Sequence, residues 1–228
     1  MTTTRSHKAV DPESDAQQRR EFTHAILGDR RALERMLKEG LFETGVRRIG
    51  AEQEMFLVDQ AWAPAPGALE MLKRLNDEHF TTELGMFQLE ANCDPQPLGG
   101  DGLSRMERQL DELMEKARKA AAEINLQPVL MGILPTMRKS DLGLHNMVPS
   151  PRYQTLGKVM HELRDGKFEI SIKGLDELII EHDSVMVEAC NSSFQVHFQV
   201  EPAEFARMYN LAQLLAGPMM SISANSPL

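Results

Sequence analysis

Apolar residues recur at two different periods along this chain, and the changes of period outline its elements. Between 15 and 39 they fall at Phe22, Ile26, Leu33, Met36 and Leu37, the three- and four-residue steps of a helix face. Gly28-Asp29 interrupts that stretch, which predicts two helices, with Asp29 capping the second and Gly40 ending it. The clearest helix covers 103–124, where Leu103, Met106, Leu110, Leu113 and Ala117 form one stripe. Shorter helices are expected over 68–78, 153–163 and 203–216, the last started by Pro202. Strand patterns occupy 46–58, 81–92, 127–134 and 185–200, and the third of these is continuously apolar. Breaks rich in Pro and Gly at 63–67 and 94–100 separate them. The irregular stretch 135–151 is long enough to suggest a binding loop or cover, and 164–173 reads as a polar connection. Hairpin-length gaps and few βαβ units imply an α+β fold rather than a doubly wound sheet. Residues 1–14 read as a disordered tail and 15–45 as N-terminal helices, with one main domain over 46–228.

The strand at 46–58 contains an anomaly, Glu52 and Glu54. Side chains two apart in a strand share a face, so these carboxylates stand side by side, with Phe56 and Val58 continuing their face. Such a pair repels and is costly to desolvate unless a cation lies between its members. Arg47 and Arg48 precede it, and no Lys or Arg follows at the matching spacing. A divalent metal with oxygen ligands is the economical explanation. Glu83 and Glu90 make a second pair, seven residues apart. A straight strand would put them on opposite faces, so one lies outside it, beyond a bend offered by Gly85. Glu90 shares a polar face with Gln88 and Asn92, opposite Phe87, Leu89 and Ala91; a solvated sheet face would look the same. In the last strand Gln195, His197 and Gln199 oppose Phe194, Val196, Phe198 and Val200. That face either bears ligands or is simply half-solvated. All four strands are expected in one sheet, with their polar faces toward a common cavity.

Charge narrows the function classes. With 25 basic and 34 acidic residues the net charge is −9, which argues against a general nucleic-acid or anionic-membrane binder. It leaves room for a nucleotide held through a metal. No apolar run reaches the ~18 residues of a membrane span, and the polar N-terminus lacks the apolar segment of a signal peptide. The 2 cysteines, Cys93 and Cys190, have no CxxC spacing, so no disulfide framework is expected and a cytoplasmic setting is. Core packing accounts for the 15 methionines.

Taken in order, these segments resemble the glutamate–cysteine ligase superfamily, in particular its bacterial carboxylate–amine ligase branch. Residues 49–59 look like the family's opening Gly-x-Glu-x-Glu strand, and 83–92 like its second acidic segment, seven-residue spacing included. Pro151-Arg152-Tyr153 resembles its Arg-Tyr motif, and 191–200 its His-x-His or Gln-x-Asn strand. Residues 215–227 resemble a Leu/Ala-rich helix that ends in Ser-Pro. The resemblance implies a glutamine synthetase-like architecture, a curved and largely antiparallel sheet with flanking helices and metals on its inner face. It implies an ATP- and Mg2+-dependent ligase that phosphorylates the γ-carboxylate of glutamate before an amine such as that of cysteine attacks, as in glutathione biosynthesis. Glu52, Glu54, Glu83, Glu90 and Gln195 would then be metal ligands, Gln195 standing where many relatives have His. His197 and Gln199 would face the nucleotide, and Arg152 would neutralise a substrate carboxylate or phosphate. Two departures matter. The family's catalytic domain continues past the Ser-Pro, so 46–228 would be its N-terminal portion; and Pro135-Thr136-Met137-Arg138 lacks the His of a Gly-Thr-His-Pro-like turn. The same carboxylates would also serve a metal-dependent hydrolase, or a non-catalytic ligase-like sensor of nucleotide or amino acid. No pattern in the sequence specifies an oligomeric state.

Overall fold

The structure is a computed structural model, and it describes residues 12–164, 168–182 and 184–226. The chain divides into two compact units, Met1–Val46 with Val200–Met208, and Arg47–Gln199 with Tyr209–Leu228. The first unit holds α1 (Pro12–Glu39), one continuous helix. The expected break at Gly28 does not occur. A glycine inside a helix costs only about 1 kcal/mol, and the pairs Arg30–Glu34 at 3.4 Å and Arg35–Glu39 at 2.8 Å follow it one turn apart. The helix starts at Pro12, inside the stretch expected to be a disordered tail. Residues 1–11 of that tail lie outside the described residues.

The second unit is built on β1 (Arg48–Val58). In chain order follow α2 (Ala68–Leu75), β2 (Phe80–Thr82), β3 (Gln88–Asn92), β4 (Gln96–Pro97), α3 (Gly102–Ala122) and β5 (Gln127–Val129). The remainder is α4 (Pro151–Arg164), β6 (Phe168–Lys173), β7 (Glu177–His182), β8 (Phe194–Phe198) and, from Tyr209 onward, α5 (Phe205–Ile222). Along one edge β1 pairs antiparallel with β3 and β4, and along the other with β8 and β5. Strand β2 extends the sheet beyond β3, and β6–β7 form a separate hairpin. The four expected strand segments therefore share one sheet.

Alternation then sorts β1 and β3 onto two cores. Met55, Leu57, Leu89 and Ala91 pack with Met71 of α2 and Leu113 and Ala117 of α3. Ile49 and Ala51 extend this layer to Met106. Leu103, expected in the α3 stripe, is instead 60% exposed at the helix start. On the opposite face Phe56 and Val58 join Leu84, Phe87, Leu142, Met147, Val185 and Met186. The stretch 135–151 is thus an anchored layer rather than a loose cover, folded into turns at Lys139–Leu142 and Leu144–Asn146.

The other expectations change in detail. Over 81–92 the strand is broken, with a tight turn at 83–87 between β2 and β3. Only Gln127–Val129 of 127–134 is strand, because the chain next meets the 225–226 segment. There Gly132 N–H donates to Asn225 O at 2.7 Å, and a Cβ on Gly132 would sit 2.2 Å from Ser226 Oγ. The 164–173 connection becomes β6, with 165–167 outside the described residues. The strand expected over 185–200 is a 3₁₀ turn at Val185–Cys190 followed by the short β8. Ser184 sets that turn, its Oγ accepting from Met186 N–H. The last helix starts at Phe205 and runs through Pro218, past the expected end at 216. Both cysteines are unpaired, and burial pushes the Cys93 thiol up to about 11.

A charged network ties the α2–β2 turn to α3. Asp77 accepts from Lys116 Nζ at 2.6 Å and contacts His79 Nδ1 at 2.7 Å, while His79 Nε2 lies 3.3 Å from Asp94. The Lys116 bond and then the His79 bond hold the Asp77 carboxyl well below the usual range. The Asp77 bond raises His79 above 6.5, with burial opposing. A histidine with a raised folded-state value stabilises fully below 6.5, and the contribution fades as pH climbs through that value. His79→Gln should therefore lower the thermal midpoint most on the acidic side of that window, with the loss shrinking above it. A loss of equal size at every pH would show that His79 contributes by shape alone.

Candidate metal centre

Register places the first two carboxylates. Glu54 of β1 stands directly opposite Glu90 of β3, on the face away from α2 and α3. Glu83 arrives from the turn after β2, which several bonds hold. Gln88, only 2% exposed, accepts from Gly85 N–H at 3.2 Å and donates to Asn191 O at 2.6 Å. Met86 N–H donates to Asn146 O at 2.8 Å, and Val148 N–H to Leu84 O at 3.0 Å. Phe87 stacks on Phe56 beneath, with ring centroids 6.4 Å apart. Gly85 has no room for a side chain, since a Cβ would meet Gln88 Oε1 at 2.8 Å and the Phe87 ring at 3.0 Å.

The outcome is three half-buried carboxylates, Glu54, Glu83 and Glu90, each with an oxygen within 4.8 Å of the others. Glu54 Oε2 accepts from Ser193 N–H at 2.8 Å, and Glu90 Oε1 from Asn92 Nδ2 at 2.7 Å. Burial pushes Glu83 up to about 8, helped by its hydrogen bond to Glu90 and by the negative charges of Glu54, Glu90 and Glu188. Burial also raises Glu54, against its bonds from Ser193, with Glu90 and Glu52 adding to the rise. Such a set of hard oxygen donors fits a cation. Octahedral Mg2+ with bonds of about 2.1 Å spaces its ligand oxygens roughly 3–4 Å apart, so small rotations of these side chains would let all three bind one ion.

The other expected site residues are distributed around this trio. Glu52 shares the face, but its Oε1 lies 3.2 Å from His197 Nε2, which is also 2.6 Å from Gln195 Oε1. Register explains the grouping, since Glu52 pairs with Gln195 and Gly50 with His197. Gln199 sits at the far end, accepting from Arg48 Nη1 at 2.9 Å. Arg152 is exposed on the first turn of α4, close enough to oppose the burial-driven rise of the Tyr153 hydroxyl.

Two residues without a sequence-based role lie beside the trio. Glu188 is exposed in the 185–190 turn, its carboxyl raised by partial desolvation and by Glu54. Its signal was available, a lone carboxylate inside the apolar run 185–190. Tyr153 feels Glu83, Glu90 and Glu188, and it also lines a groove of about 690 Å³ with Met86, Met147, Val148, Lys158 and His161.

Among family models, the one described as glutamate-cysteine ligase family 2 (GCS2) matches residues 48–228. No curated protein and no solved structure matches the chain. Among the described residues, no helix is long and apolar enough to cross a membrane.

Glu83 yields a pH test. Its folded-state value exceeds the ordinary 4.5, so the folded chain keeps a proton that the unfolded chain gives up. Without metal, stability should fall as pH climbs from 4.5 to about 8. Under chelator, Glu83→Gln should be more stable than the wild type, by a margin that widens across that interval and then levels. Chemical denaturation at stepped pH measures the margin, and a constant or shrinking one would contradict the account.

Proposed function

The chain belongs to glutamate-cysteine ligase family 2, and from that premise we propose that it is an ATP- and Mg2+-dependent carboxylate–amine ligase of γ-glutamyl type. Membership alone suggests ligase activity of the glutamate–cysteine type on small-molecule substrates. One observation carries the finer reading, the convergence of Glu54, Glu83 and Glu90 from three separate segments onto one half-buried face. Its substrates would be glutamate, ATP and an amine such as cysteine, joined through an acyl phosphate.

In this reading Glu54, Glu83 and Glu90 hold the ion, and Glu188 adds negative charge beside them. A bound Mg2+ supplies charge neutralisation at the phosphate oxygens, which suits a reaction that asks little covalent work of the protein. Glu83 must lose its proton to become a ligand, so cation affinity rises with pH toward about 8. His197 keeps Glu52 and Gln195 in a fixed arrangement next to the trio, and Gln199 continues that strand toward the nucleotide. Arg152 offers a planar fork of donors to a substrate carboxylate or phosphate. The groove that Tyr153 lines gives a substrate room.

Glu54→Gln keeps the shape of the side chain and removes one charge from the site. Mg2+-dependent ATP binding, followed by calorimetry, should weaken by about 1–3 kcal/mol. Stability without metal should hold or rise as repulsion is relieved. Glu112→Gln, the same change on an exposed position of α3, should do almost nothing. Equal effects at both positions would remove Glu54 from the proposed site.

A further inference from the structure

The β6–β7 hairpin pairs with no other strand among the described residues. An isolated two-stranded ribbon is marginal in water, and sheets gain independent stability with three strands or more. Neither strand carries a proline, and the pairing runs without a bulge from Phe168↔His182 to Lys173↔Glu177, so both edges remain able to accept a further strand. Ile170, Ile172, Leu178 and Ile180 share one face, on which Ile172 is 58% and Leu178 47% exposed.

We propose that β6 is the pairing edge of a homodimer, in which two copies meet antiparallel about a two-fold axis at Ser171. The charge pattern selects this edge and this register. With Ser171 opposite itself, Glu169 of each copy faces Lys173 of the other, and Ile170 faces Ile172 on the apolar side. Strand β7 offers no equivalent. Pairing with itself about Ile179 would set Glu177 against Glu181, and with no Lys or Arg in β7 no other register would set opposite formal charges together. Glu169 lies directly opposite Glu181 within the hairpin, and Lys173 of the second copy would flank it on its other side. The product is a four-stranded antiparallel sheet, β7-β6-β6-β7, with a doubled apolar stripe. One edge of 6 residues is smaller than the ~1,200 Å2 of a standard interface, so the dimer exchanges with monomer.

Charge exchange on the full chain tests this by sedimentation velocity, from micromolar to sub-millimolar concentration. The wild type should associate reversibly. Glu169→Lys and Lys173→Glu should each weaken self-association about tenfold or more, because each sets like charges together across the axis. Mixing the two variants should restore association, because every cross-axis pair is then Lys with Glu. A wild type that stays monomeric overturns the proposal. So does a dimer indifferent to both changes, or a mixture no better than its components. Protected β6 amides in a monomer would instead point to a strand of the same chain on this edge, which also overturns it.

Discussion

Carboxylates that share a half-buried surface repel each other and lose hydration, and this fold gathers Glu54, Glu83 and Glu90 within 4.8 Å with Glu188 close by. Without a cation the strain is relieved by protonation, which is why Glu83 keeps its proton up to about 8. The surrounding packing holds the arrangement against that repulsion. Phe56 and Phe87 are fully buried beneath the face, and Gln88 ties the Glu83 turn to the end of the 185–190 turn. Local stability is therefore spent on keeping like charges together, a pattern that marks functional sites.

Strand β1 makes the gathering possible. It pairs with four other strands, so its register simultaneously sets Glu54 against Glu90 and Glu52 against Gln195. A slip of one residue would turn Gln53 and Met55 onto the acidic face and bury the glutamates under α3. The core side of the sheet enforces that register through Met55, Leu57, Leu89 and Ala91, all fully buried. Packing on one face thus positions chemistry on the other. The contacts of His197 with Glu52 and Gln195 divide the face into the acidic trio and a neighbouring patch whose polar groups satisfy one another.

Much of this was legible in the sequence because carboxylates in strand-period apolar segments are rare and costly. Glu54 and Glu90 stood out for that reason, and the odd spacing of Glu83 from Glu90 correctly required a bend near Gly85. Glu188 is hidden because the pattern over 185–200 reads as one strand, whereas the Ser184 cap coils its first part into a turn. The hairpin is hidden as well. Two short alternating runs around Gly174-Leu175-Asp176 carry a hairpin signature, but their many charges resemble a connection. The partners of Glu52 depended on a register between residues more than a hundred positions apart, which no local pattern encodes.

The proposed cation is held by Glu54, Glu83 and Glu90 together. Crystals soaked in Mn2+, a hard cation with a usable anomalous signal, would locate it directly. A peak is expected within about 2.5 Å of at least one oxygen from each of the three carboxylates. A peak bound only at Asp77 and Asp94, or no peak at the trio at a pH above about 8 where Glu83 is ionised, would contradict it.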